Sequence, residues 1–190
     1  MRLDNKRVAG FLLFIGSVSC ILGIITAEAL YPGYSTSQNY ISDLGVGPSA
    51  IVFNSVVFLL GVLVVCGAYF ILKSFNSRFF TLLMVIAGVG AIGVGLFTED
   101  SGILHTIFSL ITFLFGGLSA IASSKLENPP FSYMSIVLGV MSLVALGLFA
   151  LGIFVNLGKG GMERLIAYPI LIWAVGFSGS LMHAESLEKG

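Results

Sequence analysis

Long apolar stretches, each close to the length of a bilayer's hydrocarbon core, alternate with short polar breaks along the whole chain. An α-helix needs about 20 apolar residues to cross a layer of about 30 Å. Six stretches meet that length: Val8 to Leu30, Ile51 to Leu72, Phe79 to Phe97, Ile103 to Ser124, Tyr133 to Leu157 and Leu165 to Met182. The breaks carry turn chemistry, among them Tyr31-Pro32-Gly33, Gly47-Pro48, Asp100-Ser101-Gly102, Asn128-Pro129-Pro130 and Gly158-Lys159-Gly160-Gly161. The pattern predicts an all-α, polytopic membrane bundle of about six helices, forming a single domain over residues 1–190. A cleaved leader is the competing reading of the amino end, where Arg2, Lys6 and Arg7 precede an apolar run into Ala27-Glu28-Ala29. That run exceeds the roughly 7–15 apolar residues of a leader core, so it reads as a retained helix.

Composition agrees. Of 190 residues, 57% are hydrophobic and 9% charged, against roughly 25% charged in a soluble domain. Nine basic and nine acidic residues leave no patch suited to nucleic acid, so membrane lipids are the expected surroundings. The basic residues are unevenly placed. Arg2, Lys6, Arg7, Lys73, Arg78, Lys125 and Lys189 fall on one side of the predicted topology, and Lys159 and Arg164 on the other. This bias predicts a multi-pass protein of the cell membrane with both termini cytoplasmic and the loops after helices 1, 3 and 5 external. Cys20 and Cys66 lie inside apolar runs and read as packing residues. Small residues recur four apart at Ser19, Gly23 and Ala27, at Ala87, Ala91 and Gly95, and at Gly116, Ala120 and Ser124. Such seams serve either packing within the bundle or homo-oligomer formation.

The polar residues that remain concentrate on the external side. Glu28 closes helix 1, the first loop brings Tyr34, Ser42 and Asp43, helix 3 runs into Glu99 and Asp100, His105 follows in helix 4, and Glu163 and Arg164 open helix 6. A compact bundle gathers them at one membrane boundary. Simpler roles compete: Asp100 suits the amino-terminal cap of helix 4, Glu163 the dipole of helix 6, and Ser42-Asp43 a short turn. Arg164 suits a carboxylate on another helix or a lipid phosphate. His105 stands inside an apolar helix, where an ionisable group faces the interior and takes a partner.

Three functions fit this cluster. In the first, Glu28, Asp43, Glu163, Arg164 and Tyr34 bind or help transport a cation, a proton or a lipid headgroup, the excess of acids favouring positive charge. In the second, a membrane-embedded lipid hydrolase or transferase uses His105 as base or metal ligand, Glu99 and Asp100 as ligands of a divalent metal or orienting acids, and Ser42 as nucleophile. No HExxH or GxSxG pattern supports that chemistry by spacing. In the third, the polar groups tie helix ends together in a structural subunit.

The order Tyr31-Pro32-Gly33-Tyr34, Asn39-Tyr40-Ile41-Ser42-Asp43-Leu44-Gly45, Phe97-Thr98-Glu99-Asp100, Leu104-His105 and Gly161-Met162-Glu163-Arg164-Leu165 resembles the prokaryotic membrane family catalogued as domain of unknown function 998, its archaeal members above all. The resemblance covers nearly the whole chain. It implies about six membrane helices and carries no activity with it.

Overall fold

The computed structural model describes residues 4–183, so the expectations placed on Arg2 and Lys189 lie outside the described residues. Six helices run through it: α1 (Asn5–Leu30), α2 (Ala50–Phe75), α3 (Arg78–Leu96), α4 (Ile103–Ser123), α5 (Phe131–Ala150) and α6 (Gly158–His183). No strand occurs among the described residues. All six are long and apolar enough to cross a membrane. Each helix packs on the next in the chain, α6 closes back on α1, and α4 also meets α6. The result is an up-and-down ring in which every sequential neighbour is antiparallel. Large apolar side chains such as Phe11, Leu82, Val137 and Ile172 stand more than half exposed on its outside. That is the pattern of a chain whose outer solvent is lipid.

Of the three buried clusters of the interior, a small one (Ala145, Met162 and Ile166) joins α5 to α6 and two larger ones lie toward the two ends of the ring. One, around Phe80, Trp173 and Phe177, lies toward the end that carries Asp4 and His183. The other, around Cys20, Phe53, Val57 and Leu171, lies toward the end that carries the three loops 31–49, 97–102 and 151–157. The small-residue seams are used inside the chain: a Cβ on Gly23 would meet Val56 of α2 at 2.6 Å, and one on Gly116 would meet Ile170 of α6 at 3.1 Å.

Two helix boundaries differ from the sequence expectation, and both bear on the site. Helix α5 stops at Ala150, although the apolar run continues to Leu157. Gly152 and Asn156 take left-handed backbone there (φ 71° and 62°), which ends the helix. Helix α6 begins at Gly158, and so includes the Gly158-Lys159-Gly160-Gly161 segment expected to be a turn. Glycine is required here for proximity. The Gly160 amide donates to the Ser37 carbonyl at 3.1 Å, and a Cβ on Gly160 would run into the Asn39 and Thr36 carbonyl oxygens. The first loop therefore lies directly on the opening turns of α6.

Candidate functional site

The first loop is short of regular structure and supplies its own backbone partners. Asn39 accepts the Ser35 amide at 3.1 Å and donates through Nδ2 to Asp43 Oδ2 at 2.9 Å, and the Tyr40 amide donates to that same oxygen at 2.9 Å. Asp43 thus belongs to the tight 3-10 turn Ser42–Gly45 and is held by two donors. Farther along, Ser49 Oγ donates to the Leu44 carbonyl and Asn54 Nδ2 to the Gly45 carbonyl, both at 2.9 Å.

Glu163 and Arg164 fasten this loop to the bundle from two different faces of α6. Successive helix residues point about 100° apart, and the two side chains diverge accordingly. Glu163, 8% exposed, turns inward and accepts the Ile41 amide at 2.5 Å. Arg164 spreads its guanidinium over four acceptors: Glu28 Oε1 at 2.5 Å, the Tyr34 hydroxyl at 2.7 Å, and the Thr36 and Gly160 carbonyls at 3.0 Å each. The Arg164 and Glu28 side chains are only 11% and 21% exposed. The Tyr34 hydroxyl in turn donates a hydrogen bond to the Tyr40 carbonyl at 2.7 Å. Burial pushes this phenol up to about 12, outweighing the opposite pull of Arg164, so it stays neutral and acts as a donor. Arg164 therefore binds its own chain, which is the first of the two roles expected for it.

A second cluster forms where the loop meets the end of α3. Burial, and after it the Asp43 carboxylate alongside, push Glu99 from 4.5 up to about 7, against weaker opposing pulls from Lys159 and Ser42. Glu99 Oε2 is buried without a donor. Asp43 Oδ2 already accepts from two donors, and the raised value lets Glu99 hold a proton up to near neutrality. Lys159, one helical turn before Glu163, lays its ammonium 4.0 Å from the Tyr40 ring centroid.

The raised Glu99 value has a definite consequence for stability. A carboxyl whose pKa is higher in the folded state than its ordinary value stabilises fully below that ordinary value and loses the contribution as pH rises through the folded one. The melting temperature of detergent-solubilised protein is expected to fall between about pH 4.5 and about pH 7. In Glu99→Gln this part of the profile flattens. An unchanged profile in the variant would assign the titration to another group.

Beneath the loop lies a cavity of about 90 Å³, lined by Phe53, Ser42, His105, Ser109, Thr112 and Glu163 among others. His105, 7% exposed, sits one turn into α4, and its Nδ1 lies 2.8 Å from the Phe97 carbonyl that ends α3. A carbonyl only accepts, so Nδ1 carries the hydrogen, and in the neutral ring Nε2 keeps the lone pair.

The expected residues thus separate into three groups. Glu28, Tyr34 and Arg164 form the clamp, Asp43 and Glu99 the carboxyl pair, and Ser42, His105 and Glu163 the wall of the cavity. Asp100 joins none of these. It is exposed in the turn Glu99–Ser101, and α4 is preceded by Gly102 with no side-chain cap, so the capping role expected for Asp100 is not taken. His105, Glu99 and Asp100 do not converge as three ligands, and no group of three or more His, Cys, Asp or Glu among the described residues is placed to hold a metal ion. Sequence reasoning passed over Ser109, Thr112, Asn54 and Lys159. For Ser109 and Thr112 the signal was their spacing from His105, at i+4 and i+7 on one helix face.

No curated protein and no solved structure matches the chain. A family profile matches it over residues 14–179, most of its length, and that span contains the clamp, the carboxyl pair and the cavity wall together with α2 to α5 and the greater part of α1 and α6. The chain is an integral membrane protein and belongs to the family described as protein of unknown function (DUF998).

Proposed function

We propose that this protein binds a proton at the external membrane boundary, with Glu99 and Asp43 as the receiving pair, and that it belongs to the binding or transport class. The observation that carries the reading is the Glu99 carboxyl, raised to about 7 beside Asp43, above a cavity whose wall holds Glu163 and His105. Glu163 is within electrostatic reach of both Asp43 and Glu99. The external placement follows from the uneven distribution of Lys and Arg.

A proton suits this arrangement better than the other two ligands expected of the cluster. A divalent cation requires several oxygen or nitrogen ligands on one centre, and the acids here are spread over a clamp, a pair and a cavity wall. A lipid phosphate requires free donors, whereas both terminal nitrogens of Arg164 are occupied by the chain's own acceptors. The structural-subunit reading accounts for Glu28, Tyr34 and Arg164. It gives no reason to place Glu99 against Asp43, because two acids side by side weaken a tie.

Infrared difference spectra of the protein in lipid vesicles, stepped across neutrality, test the reading. A protonated-carboxyl band is expected to vanish with a midpoint of about 7 and to lose amplitude in Glu99→Gln. A band that titrates only in the ordinary carboxylate range, or one whose amplitude near neutrality is the same in Glu99→Gln, overturns it. The hydrolase or transferase reading keeps one observation in its favour: Ser42 and His105 line the same cavity. Its readout is lipid turnover, and lipids unchanged after incubation with the purified protein remove it.

A further inference from the structure

The inward face of α4 carries His105, Ser109, Thr112, Gly116, Ser119 and Ser123, a run at i, i+4, i+7, i+11, i+14 and i+18 that keeps to one side of the helix. From His105 to Ser123 it spans 18 residues by the numbering, about 27 Å at 1.5 Å per residue, close to the hydrocarbon thickness of about 30 Å, and Glu127 follows just past the 3-10 turn Ser124–Leu126. A second cavity of about 60 Å³ lies deeper in the ring, lined by Ser17, Thr112, Gly116, Ser119 and Trp173 among others. Thr112, with Leu60, Ala91, Ile170 and Leu171, lines this cavity and the outer one alike, so the two adjoin.

The deeper cavity is walled mostly by apolar groups and holds one unpaired polar atom. Ser17 Oγ is fully buried, lines the cavity and has no hydrogen-bond partner in the chain. Leaving a buried hydroxyl unpaired is costly. Thr112 and Ser119 give their hydrogens to the Phe108 and Phe115 carbonyls at 2.8 and 2.7 Å, which leaves oxygen lone pairs as acceptors. Three hydroxyl oxygens supply the two to four partners that a buried water takes, in a space well above the roughly 10–15 Å³ that one water needs. Below this cavity Trp173 Nε1 donates to Ser123 Oγ at 2.8 Å. Beyond Ser123 stands Glu127, which accepts Ser135 Oγ at 2.6 Å through Oε2, while its Oε1 is buried without a partner. Burial pushes the Glu127 carboxyl up, against smaller opposing pulls from Ser135 and Ser123.

We infer that a hydrated proton route crosses the membrane on the inward face of α4, from Glu163 and His105 through the two adjoining cavities to Glu127. The inference rests on the proton reading of the outer cluster and extends it from binding to passage. A proton taken up by Glu99 and Asp43 appears as a different proton released from Glu127. Each intervening water accepts one and gives up another. The hydroxyls of Ser17, Thr112 and Ser119 hold the waters in place, and a pH difference or a membrane potential supplies the driving force without any co-reactant.

The test uses the full chain in vesicles loaded with a pH-sensitive dye, under an imposed potassium diffusion potential. Wild-type vesicles are expected to take up protons faster than protein-free ones. Thr112→Val, which keeps the shape and removes the hydroxyl, and Glu127→Gln are expected to lower the rate about tenfold, the scale set by losing one good hydrogen bond. Thr106→Val, which removes an exposed hydroxyl elsewhere on α4, leaves it unchanged. Should Thr112→Val fold poorly, Ser17→Ala and Ser119→Ala carry the same expectation. Wild-type uptake no faster than that of empty vesicles, or uptake indifferent to the α4 hydroxyls, overturns the route. If the Glu99 band still titrates near neutrality in those samples, proton binding stands without passage. If that band is silent, the reading on which the route rests fails first.

Discussion

Replacing Arg164 by alanine is expected to cost roughly 3–5 kcal/mol, the range for removing one partner of a buried ion pair. The loss has several parts that act together. Glu28 is left in a poorly solvated position without its partner. The Tyr34 hydroxyl loses a donor, and the Thr36 and Gly160 carbonyls are released. Arg164→Lys is expected to recover only a small part, because one ammonium cannot span acceptors that a planar fork reaches in several directions. Reversible unfolding in mixed micelles measures the cost, and hydrogen exchange of the loop amides from Tyr31 to Ser49 reports whether the loop lifts. A loss of less than about 1 kcal/mol, as for an exposed pair, would mean that the clamp is not a fastening.

The second large effect is expected from adding a single methyl group. In Gly160→Ala the new Cβ falls on the Asn39 and Thr36 carbonyl oxygens, which are backbone and cannot swing aside. Overpacking of this kind costs about 1–3 kcal/mol, and here the strain has one outlet, displacement of the loop from α6. Loop displacement draws Asp43 away from Glu99 and the Ile41 amide away from Glu163. The Glu99 midpoint is therefore expected to move down toward the ordinary carboxylate range along with the loss of stability. Gly147→Ala is the control: a Cβ there meets nothing within 4 Å, and the higher helix propensity of alanine makes the change neutral or favourable by up to ~1 kcal/mol. Equal behaviour of the two variants in melting temperature and in the carboxyl titration would separate the loop from the α6 backbone.

The six spans were legible because crossing hydrocarbon imposes a length and a composition that few other structures share. Their ends were less legible, for reasons visible at particular residues. Leu151, Ile153 and Val155 are apolar enough to extend α5, yet the backbone turns left-handed at Gly152 and Asn156. Gly158 to Gly161 has the composition of a turn, and becomes helix because the first loop rests on it, a contact between segments more than a hundred residues apart. The gathering of acids at one end could be read from the order of the helices. Their division into a clamp, a carboxyl pair and a cavity wall could not, since neighbours such as Glu163 and Arg164 acquire opposite roles from the direction each faces on α6. The hydroxyls of α4 went unread because a serine or threonine satisfied by its own helix is ordinary in a membrane span. Only their common face, together with the cavities, sets them apart.

The seating of the first loop on α6 also imposes a schedule on the making of the protein. Ile41 and Glu163 are separated by 122 residues, which a ribosome adds in roughly 6–24 s at 5–20 residues per second. During that interval the tyrosine-rich segment after the first helix has been synthesised while the residues that will seat it have not. Covering the outer cavity thus waits for the sixth helix, and a chain arrested before it is left with an open chamber, whatever the quality of the five helices already inserted.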